Sequence, residues 1–109
     1  MTVNDLLNMP EFRAVCVPDG SREIRGGYAG DLLSWVMGRA SEGDAWITIM
    51  SNVNTVAVAT LVDVACILLC EGVTPDGGVL EIAESKGVNI LSTELSAYEA
   101  SVRISELVK

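Results

Sequence analysis

Apolar and polar positions follow two patterns that alternate along the chain. Short unbroken apolar runs, typical of strands covered on both faces, alternate with segments whose apolar residues recur every three or four positions, as in amphipathic helices. We predict strands over residues 12–17, 45–50, 65–70 and 88–91. We predict helices over residues 1–10, 32–40, 54–62, 79–86 and 96–108, and a polar, glycine-rich loop over residues 21–30.

The order of these elements predicts the fold class. Strands and helices alternate from residue 12 onward, which is typical of a mostly parallel sheet with helices on both faces. The 109 residues suit one domain. We therefore predict a single α/β domain over residues 1–109, with a sheet of about four to five strands.

Two helices have apolar positions that we expect to face this sheet. In the second helix the helical spacing includes Leu32 and Met37, with Asp31 in its first turn. In the fourth helix we expect Leu80, Ile82 and Ala83 to point inward.

Charge and hydropathy exclude several classes of partner. The formal net charge is −8, so the surface repels nucleic-acid backbones and anionic membranes, and we expect neither partner. Mean hydropathy is +0.40, which indicates a sheet covered on both faces and an apolar patch buried in an oligomer. The longest apolar run, residues 53–70, contains Asp63, so we interpret it as a helix followed by a strand and not as a membrane span.

The cysteines indicate the compartment. There are three, Cys16, Cys66 and Cys70, each in an apolar run, and the first ten residues lack the order of a secretory signal. An odd cysteine count in this context predicts reduced core thiols and a cytoplasmic location.

The sequence offers little catalytic equipment. It contains no histidine, so a serine or cysteine nucleophile lacks its usual base, and we predict no catalytic residue, no metal site and no cofactor. Gly26, Gly27 and Gly30 lack the order of a dinucleotide-binding loop. A small enzyme that uses the carboxylates of Asp31, Glu71 and Glu94 stays open as an alternative.

Polar segments follow the predicted strands, at residues 18–27, 51–52, 71–74 and 92–94. Ligands of open parallel sheets gather beyond the carboxyl ends of the strands, where backbone N–H groups of helix starts can receive an anion. Ordinary turns and helix caps are the alternative interpretation of each segment.

Three stretches together resemble a DRTGG domain. They are Gly30-Asp31 before a helix, Met50-Ser51-Asn52 after a strand, and LLCEGVTPDGGVLEIAESKGVNILST over residues 68–93. The resemblance covers residues 16–104. The name-giving residues are kept in part: Leu32 stands where the arginine is usual, and Glu71-Gly72 replaces Thr-Gly-Gly. Whether Arg22 or Arg25, the only two bases close together, replaces that arginine stays open.

The resemblance implies a parallel α/β fold, a tendency to dimerise and a non-catalytic role. Relatives are regulatory pieces of phosphotransacetylases, of pyrophosphatases with CBS domains and of HPr kinase/phosphorylase. We therefore expect a homodimeric regulatory module that senses a nucleotide or phosphorylated small molecule and acts on or docks to a partner enzyme. The alternative is a structural adaptor without a ligand. The expected ligand-binding residues are Gly30, Asp31, Ser51, Asn52, Glu71, Gly72 and Thr93.

Overall fold

The computed structural model describes residues 1–108, which form five strands and five helices. The strands are β1 (Phe12–Cys16), β2 (Gly26–Ala29), β3 (Asp44–Thr48), β4 (Cys66–Leu69) and β5 (Ile90–Thr93). The helices are α1 (Val3–Leu7), α2 (Leu33–Arg39), α3 (Val53–Val62), α4 (Val79–Lys86) and α5 (Ala97–Leu107).

All five strands form one sheet in the order β1-β5-β4-β3-β2. β2, β3, β4 and β5 run parallel, and β1 lies antiparallel to β5. The prediction of a mostly parallel α/β sheet is confirmed. We call the edge where β2 to β5 end the carboxyl edge, and the opposite one the amino edge.

Helices cover both faces of the sheet, as predicted. On one face α1 and α5 bury Leu6 and Ile104 against Ile47 and Leu68. On the other face α2, α3 and α4 bury Val36, Val56 and Val79 against Trp46, Ile67 and Leu69. Every residue of β3 and β4 is buried, which explains the unbroken apolar sequence of β4.

The predicted direction of the first strand is wrong. No helix separates β1 from β2, and the chain crosses from one side of the sheet to the other along the amino edge. There the Asp19 N–H donates to Asn89 Oδ1 (3.0 Å), just before β5. Residues 18–25 therefore lie at the amino edge, and the prediction that the segment after this strand reaches the carboxyl edge is wrong.

The predicted loop over residues 21–30 contains a strand. Glycine-rich sequence disfavours strands, but Gly26–Ala29 pairs in parallel with β3, and α5 packs over it. A Cβ at Gly27 would lie 3.3 Å from Ile104 Cγ2, so the missing side chain lets α5 approach. Tertiary packing overrides the local preference here.

Several helical predictions need smaller corrections. Leu32, Met37, Leu80 and Ile82 are exposed, although the helical pattern placed them on apolar stripes. Ala83 is buried as predicted. The fourth predicted strand begins and ends two residues later, at Ile90–Thr93. The run over residues 53–70 divides into α3 and β4 as predicted, and within residues 1–108 no helix has the length and apolar character to cross a membrane.

Candidate functional site at the carboxyl edge

The structure brings all seven predicted site residues to the carboxyl edge. Pairs of them follow successive strands of the sheet, and the last residue ends β5. They are Gly30 and Asp31 after β2, Ser51 and Asn52 after β3, Glu71 and Gly72 after β4, and Thr93 at the end of β5. The parallel order of four strands is what aligns them.

Asp31 ties the end of β2 to the end of β3. Its Oδ1 accepts a hydrogen bond from Thr48 Oγ1 (2.7 Å) and one from the Ile49 N–H (3.1 Å). Thr48 Oγ1 accepts in turn from the Met50 N–H (3.1 Å). Asp31 precedes Leu32, the N-cap residue of α2, so its predicted place in the first turn of that helix is wrong. The carboxylate holds two strand ends together.

The backbone N–H and carbonyl of Gly30 both form hydrogen bonds with β3. Its N–H donates to the Ile47 carbonyl (3.1 Å), and its carbonyl accepts from Trp46 Nε1 (2.9 Å). A Cβ on Gly30 would lie 3.1 Å from Tyr28 Cε2. The role that the structure shows for Gly30 is close packing.

Ser51 and Asn52 connect β3 to its neighbours. Asn52 Oδ1 caps α3 by accepting from the Asn54 N–H (2.9 Å) and the Thr55 N–H (3.2 Å). Ser51 Oγ donates to Asp76 Oδ1 (3.2 Å), and the Asp76 N–H donates to the Ser51 carbonyl (2.9 Å). These bonds hold the segment between β4 and α4 against the end of β3.

The backbone N–H groups of the segment after β4 donate hydrogen bonds to carbonyls of the same chain. The Glu71 N–H donates to the Leu95 carbonyl (2.9 Å), and the Gly72 N–H donates to the Thr93 carbonyl (3.0 Å). Both residues adopt left-handed conformations, with φ of 60° and 69°, which is uncommon for a glutamate. Thr93 is buried, and its Oγ1 accepts from the Leu95 N–H (3.2 Å). The N–H groups of Glu71 and Gly72 therefore face carbonyls, not an anion.

Sequence reasoning missed a basic residue at this edge. Because β1 is antiparallel, its second residue, Arg13, lies beside the end of β5, where its Nη2 donates to Glu94 Oε2 (2.9 Å). Arg22 and Arg25 lie at the amino edge: Arg22 binds Asp63 (2.9 Å), and the Arg25 side chain lies over Gly43. No sequence signal reveals Arg13, since its position depends on the direction of β1.

Two further polar residues could have been found in the sequence. Thr48 is a lone polar residue inside an apolar run, and Asp76 belongs to a Pro-Asp-Gly-Gly turn. Thr48 is almost fully buried and depends on Asp31 as its acceptor. Polar positions inside buried strands are the signal for such partners.

The carboxyl edge carries more negative than positive charge. Burial, together with the nearby carboxylates of Glu71 and Asp31, raises the pKa of the Cys70 thiol to about 11. Asp76 and Glu94 add two more carboxylates along the edge, and Arg13 is paired with one of them. Such an edge attracts hydrogen-bond donors and cations more than a free phosphate.

The edge is a surface and not a deep pocket. A cavity of about 10 Å³ lies beneath it, between Met50, Asn52, Val56 and Val79. That is about the volume which holds one water molecule. A ligand of nucleotide size would therefore lie across the strand ends.

The cysteines are buried, as predicted, and free. Burial raises the pKa of the Cys66 thiol to about 12, and burial with a hydrogen bond to Glu84 raises that of Cys16. Few thiolates form at neutral pH, so these thiols are poor nucleophiles. Within residues 1–108 no group of three or more potential metal ligands comes together.

The fold defines the protein's class as a mostly parallel α/β domain with polar strand ends along one edge. The family model of the DRTGG domain matches residues 31–107. The chain belongs to the DRTGG domain family. Leu32, at the position of the usual arginine, is 60% exposed at the start of α2.

One solved structure with the same fold is the crystal structure of the CBS and DRTGG domains of the regulatory region of Clostridium perfringens pyrophosphatase, complexed with its activator diadenosine tetraphosphate. The two chains align with a TM-score of 0.71 and 15% sequence identity. The alignment covers 94% of this chain and 45% of the other, so this chain spans less than half of that one. No curated protein matches the chain.

Proposed function

We propose that the chain is a single-domain, non-catalytic regulatory module that acts on a partner enzyme as a homodimer and binds a small molecule at the carboxyl edge. The observation that carries this proposal is the convergence of seven polar or glycine positions on that edge. Membership of the DRTGG family and the likeness to a pyrophosphatase regulatory region support it. The reduced, buried cysteines fit a cytoplasmic location.

The chemistry of the side chains supports a non-catalytic role. The sequence contains no histidine, and burial raises the pKa of the three thiols. The polar atoms of Asp31, Ser51 and Asn52 already hold strand ends and a helix cap. These groups position the edge, and none of them forms the nucleophile and base pair that covalent catalysis needs.

The charges at the carboxyl edge suggest how a nucleotide would bind there. Ribose hydroxyls and base amino groups are donors that suit the carboxylates of Asp31 and Glu71. A phosphate needs a cation, and Arg13 becomes available once it leaves Glu94, a bond between two exposed side chains. Nucleotide binding would therefore exchange the Arg13–Glu94 pair for an Arg13–phosphate pair.

Thermal unfolding with a panel of adenine nucleotides, diadenosine tetraphosphate included, tests this proposal. A ligand at about 100 times its Kd adds about 2.7 kcal/mol to the stability, which raises Tm by roughly 10–20 °C in a domain of this size. Arg13→Ala and Glu71→Ala should each reduce that rise. The matched control is Glu42→Ala, at the amino edge, which should leave the rise unchanged. A flat panel would contradict the proposed ligand site.

A structural adaptor is the second candidate, and one observation favours it. Apolar side chains are exposed on the outer surfaces of α2, α3 and α4, and Leu61 on α3 is 71% exposed. Such side chains mark protein contacts when they cluster. The adaptor predicts a flat nucleotide panel and a stable complex with one enzyme of the native host, which Leu61→Glu would weaken.

A further inference from the structure

The outer surface of α3 is apolar and uncharged. Among residues 1–108, α3 is the only helix whose sequence contains no charged residue. Apolar residues lie on the side that packs against the sheet and also on the outer side, where Val53, Ala57 and Leu61 are exposed. A helix that is apolar on all sides is normally buried. We therefore expect another protein surface to cover the outer side of α3.

The exposed residues of α3 have a symmetrical order. Val53, Ala57 and Leu61 are spaced four residues apart, so they form one ridge with neighbours about 6 Å apart along the helix. Asn54 and Thr60 flank this ridge on opposite sides. In both directions from Ala57, an uncharged polar residue follows after three positions and a larger apolar residue after four. These five are all the exposed residues of the helix.

We propose that α3 packs against α3 of a second copy across a twofold axis that passes beside Ala57. This inference rests on the proposed homodimer and assigns its surface. A twofold contact requires a surface that is complementary to itself, and the order of residues around Ala57 meets this requirement. A partner of different sequence would need no such symmetry.

The ridge indicates how the two helices meet. When the ridges of both copies lie along each other in opposite directions, Val53 of each copy contacts Leu61 of the other, and Ala57 contacts its equivalent. The small side chain at the centre lets the helices approach each other closely. A groove of about 230 Å³ between α3 and α4, lined in part by Val53, Ala57 and Ile82, lies beside the ridge. It offers room to the Leu61 side chain of the second copy.

The neighbouring helices enlarge the apolar surface around α3. α2 packs beside α3 on one side and α4 on the other. Trp35 and Met37 on α2 and Ile82 on α4 are exposed. Tryptophan and methionine are enriched in protein interfaces, and homodimer interfaces are more apolar than other protein surfaces. A contact centred on α3 can therefore bury apolar side chains on both of its flanks.

Charge also favours a second copy at this surface. Two chains of net charge −8 repel each other wherever their carboxylates meet. Residues 45–62 contain no charged residue, and Asp63, which follows them, is paired with Arg22. By contrast α5, on the other face of the sheet, exposes Glu99 and Glu106. Two copies that meet through α3 therefore avoid the repulsion that they would meet through α5.

Sedimentation of the whole chain tests the surface through charge. The wild type should have twice the monomer mass of 11.5 kDa. Ala57→Glu places two carboxylates beside the twofold axis and should raise the dimer Kd at least about tenfold. The matched control, Val102→Glu, adds the same charge at an exposed position of α5 and should leave the Kd unchanged. A dimer that tolerates Ala57→Glu would overturn the proposed contact.

Disulfide cross-linking tests the register directly. Ala57→Cys places two thiols beside the twofold axis, within reach of a disulfide. Leu61→Cys is the control, because its equivalent in the second copy lies about 12 Å away along the ridge. Under mild oxidation Ala57→Cys should cross-link at least about tenfold faster. A mixture of the Val53→Cys and Leu61→Cys proteins should link one to the other. The native thiols are buried, so the wild type should not cross-link.

Three results would overturn the inference, and they separate it from the proposed function. Equal cross-linking of Ala57→Cys and Leu61→Cys in a dimer would assign the dimer to another surface and leave the homodimer intact. A monomer at every soluble concentration would remove the homodimer as well. A monomer whose complex with a partner enzyme is lost in Ala57→Glu would assign the outer surface of α3 to that enzyme. Nucleotide binding at the carboxyl edge would survive each result, because the Tm rise is measured separately.

Discussion

The two outer strands of the sheet differ in how they meet solvent. β1 is antiparallel to β5, contains Arg13 paired with Glu94, and has a register irregularity between Ala14 and Cys16. β2 is parallel to β3, uncharged and regular. Charge and irregular register are the features by which proteins keep edges from pairing. One edge of the sheet is therefore protected, and the other is left free.

The supports of the two edge strands differ as well. β1 is packed by α1 and α4. β2 is packed by α5 and fastened at its end by Asp31, whose carboxylate joins it to Thr48 and Ile49. β2 is therefore held by its pairing with β3, by α5 and by the Asp31 carboxylate, and the last of these can be removed by a single substitution.

Asp31→Ala should have the largest effect on stability. It removes two hydrogen bonds to a carboxylate and leaves the buried Thr48 hydroxyl without its acceptor. We expect a loss of about 2–3 kcal/mol in urea unfolding of dilute protein. Asp31→Asn keeps an oxygen acceptor and should lose less than about 1 kcal/mol. Equal stability of the alanine variant and the wild type would show that β2 is not fastened in this way.

Gly72→Ala should have the second-largest effect on stability, and it acts beside the protected strand β1. Gly72 is left-handed, and a Cβ there would lie 2.7 Å from Glu94 Oε1, so alanine displaces the partner of Arg13. We expect a loss of about 1–2 kcal/mol in thermal unfolding, mostly from backbone strain. Gly77→Ala is the control: its φ is negative, its Cβ position is open, and no loss is expected. A loss in both variants would count against the role of Glu94.

Arg13→Val should change stability little and association more. The Arg13–Glu94 pair is exposed, so its loss costs less than about 1 kcal/mol. Without the charge, β1 becomes an apolar edge, and species larger than a dimer should form in sedimentation. Arg13→Lys should restore the wild-type distribution. Unchanged association of Arg13→Val would show that the charge does not protect β1.

The smallest effect is a difference in thiol reactivity between an edge strand and a central strand. Cys16 lies at the end of β1 and is slightly accessible, whereas Cys66 in β4 is fully buried with a pKa of about 12. A raised pKa means fewer thiolates at a given pH, so labelling should be slow near neutrality and faster as the pH rises. A time course with a disulfide reagent should modify Cys16 first, and denaturant should expose all three thiols. Earlier labelling of Cys66 would contradict the assigned burial.

The sequence predicts the centre of this fold better than its edges. β3, β4, α3 and α4 were predicted to within two residues, because buried strands and capped helices have distinct apolar patterns. β2 was missed because Gly-Gly-Tyr-Ala has no strand pattern, and its strand state depends on pairing with β3. The direction of β1 was wrong because a single strand has the same pattern in either direction.

The residues of the candidate site also differ in how well the sequence predicts their positions. Its seven residues were located at one edge because the carboxyl ends of parallel strands always meet there. Arg13 was missed because its place follows from the antiparallel β1, and Arg22 and Arg25 lie at the amino edge for the same reason. Position along a parallel strand can be predicted from sequence, whereas contacts made by an antiparallel edge strand cannot.

Amide hydrogen exchange by NMR, measured at low and high protein concentration, compares the two edges with α3 most directly. The Gly30 N–H donates to β3, so the N–H of the preceding Ala29 points away from the sheet. If the β2 edge is free and a second copy covers α3, the Ala29 amide should exchange quickly at both concentrations, and the α3 amides should exchange more slowly as concentration rises. The outward amides of β1 should not change, because its charge and irregular register keep that edge unpaired. Exchange at Ala29 that slows with concentration, or exchange in α3 that is independent of it, would contradict the account.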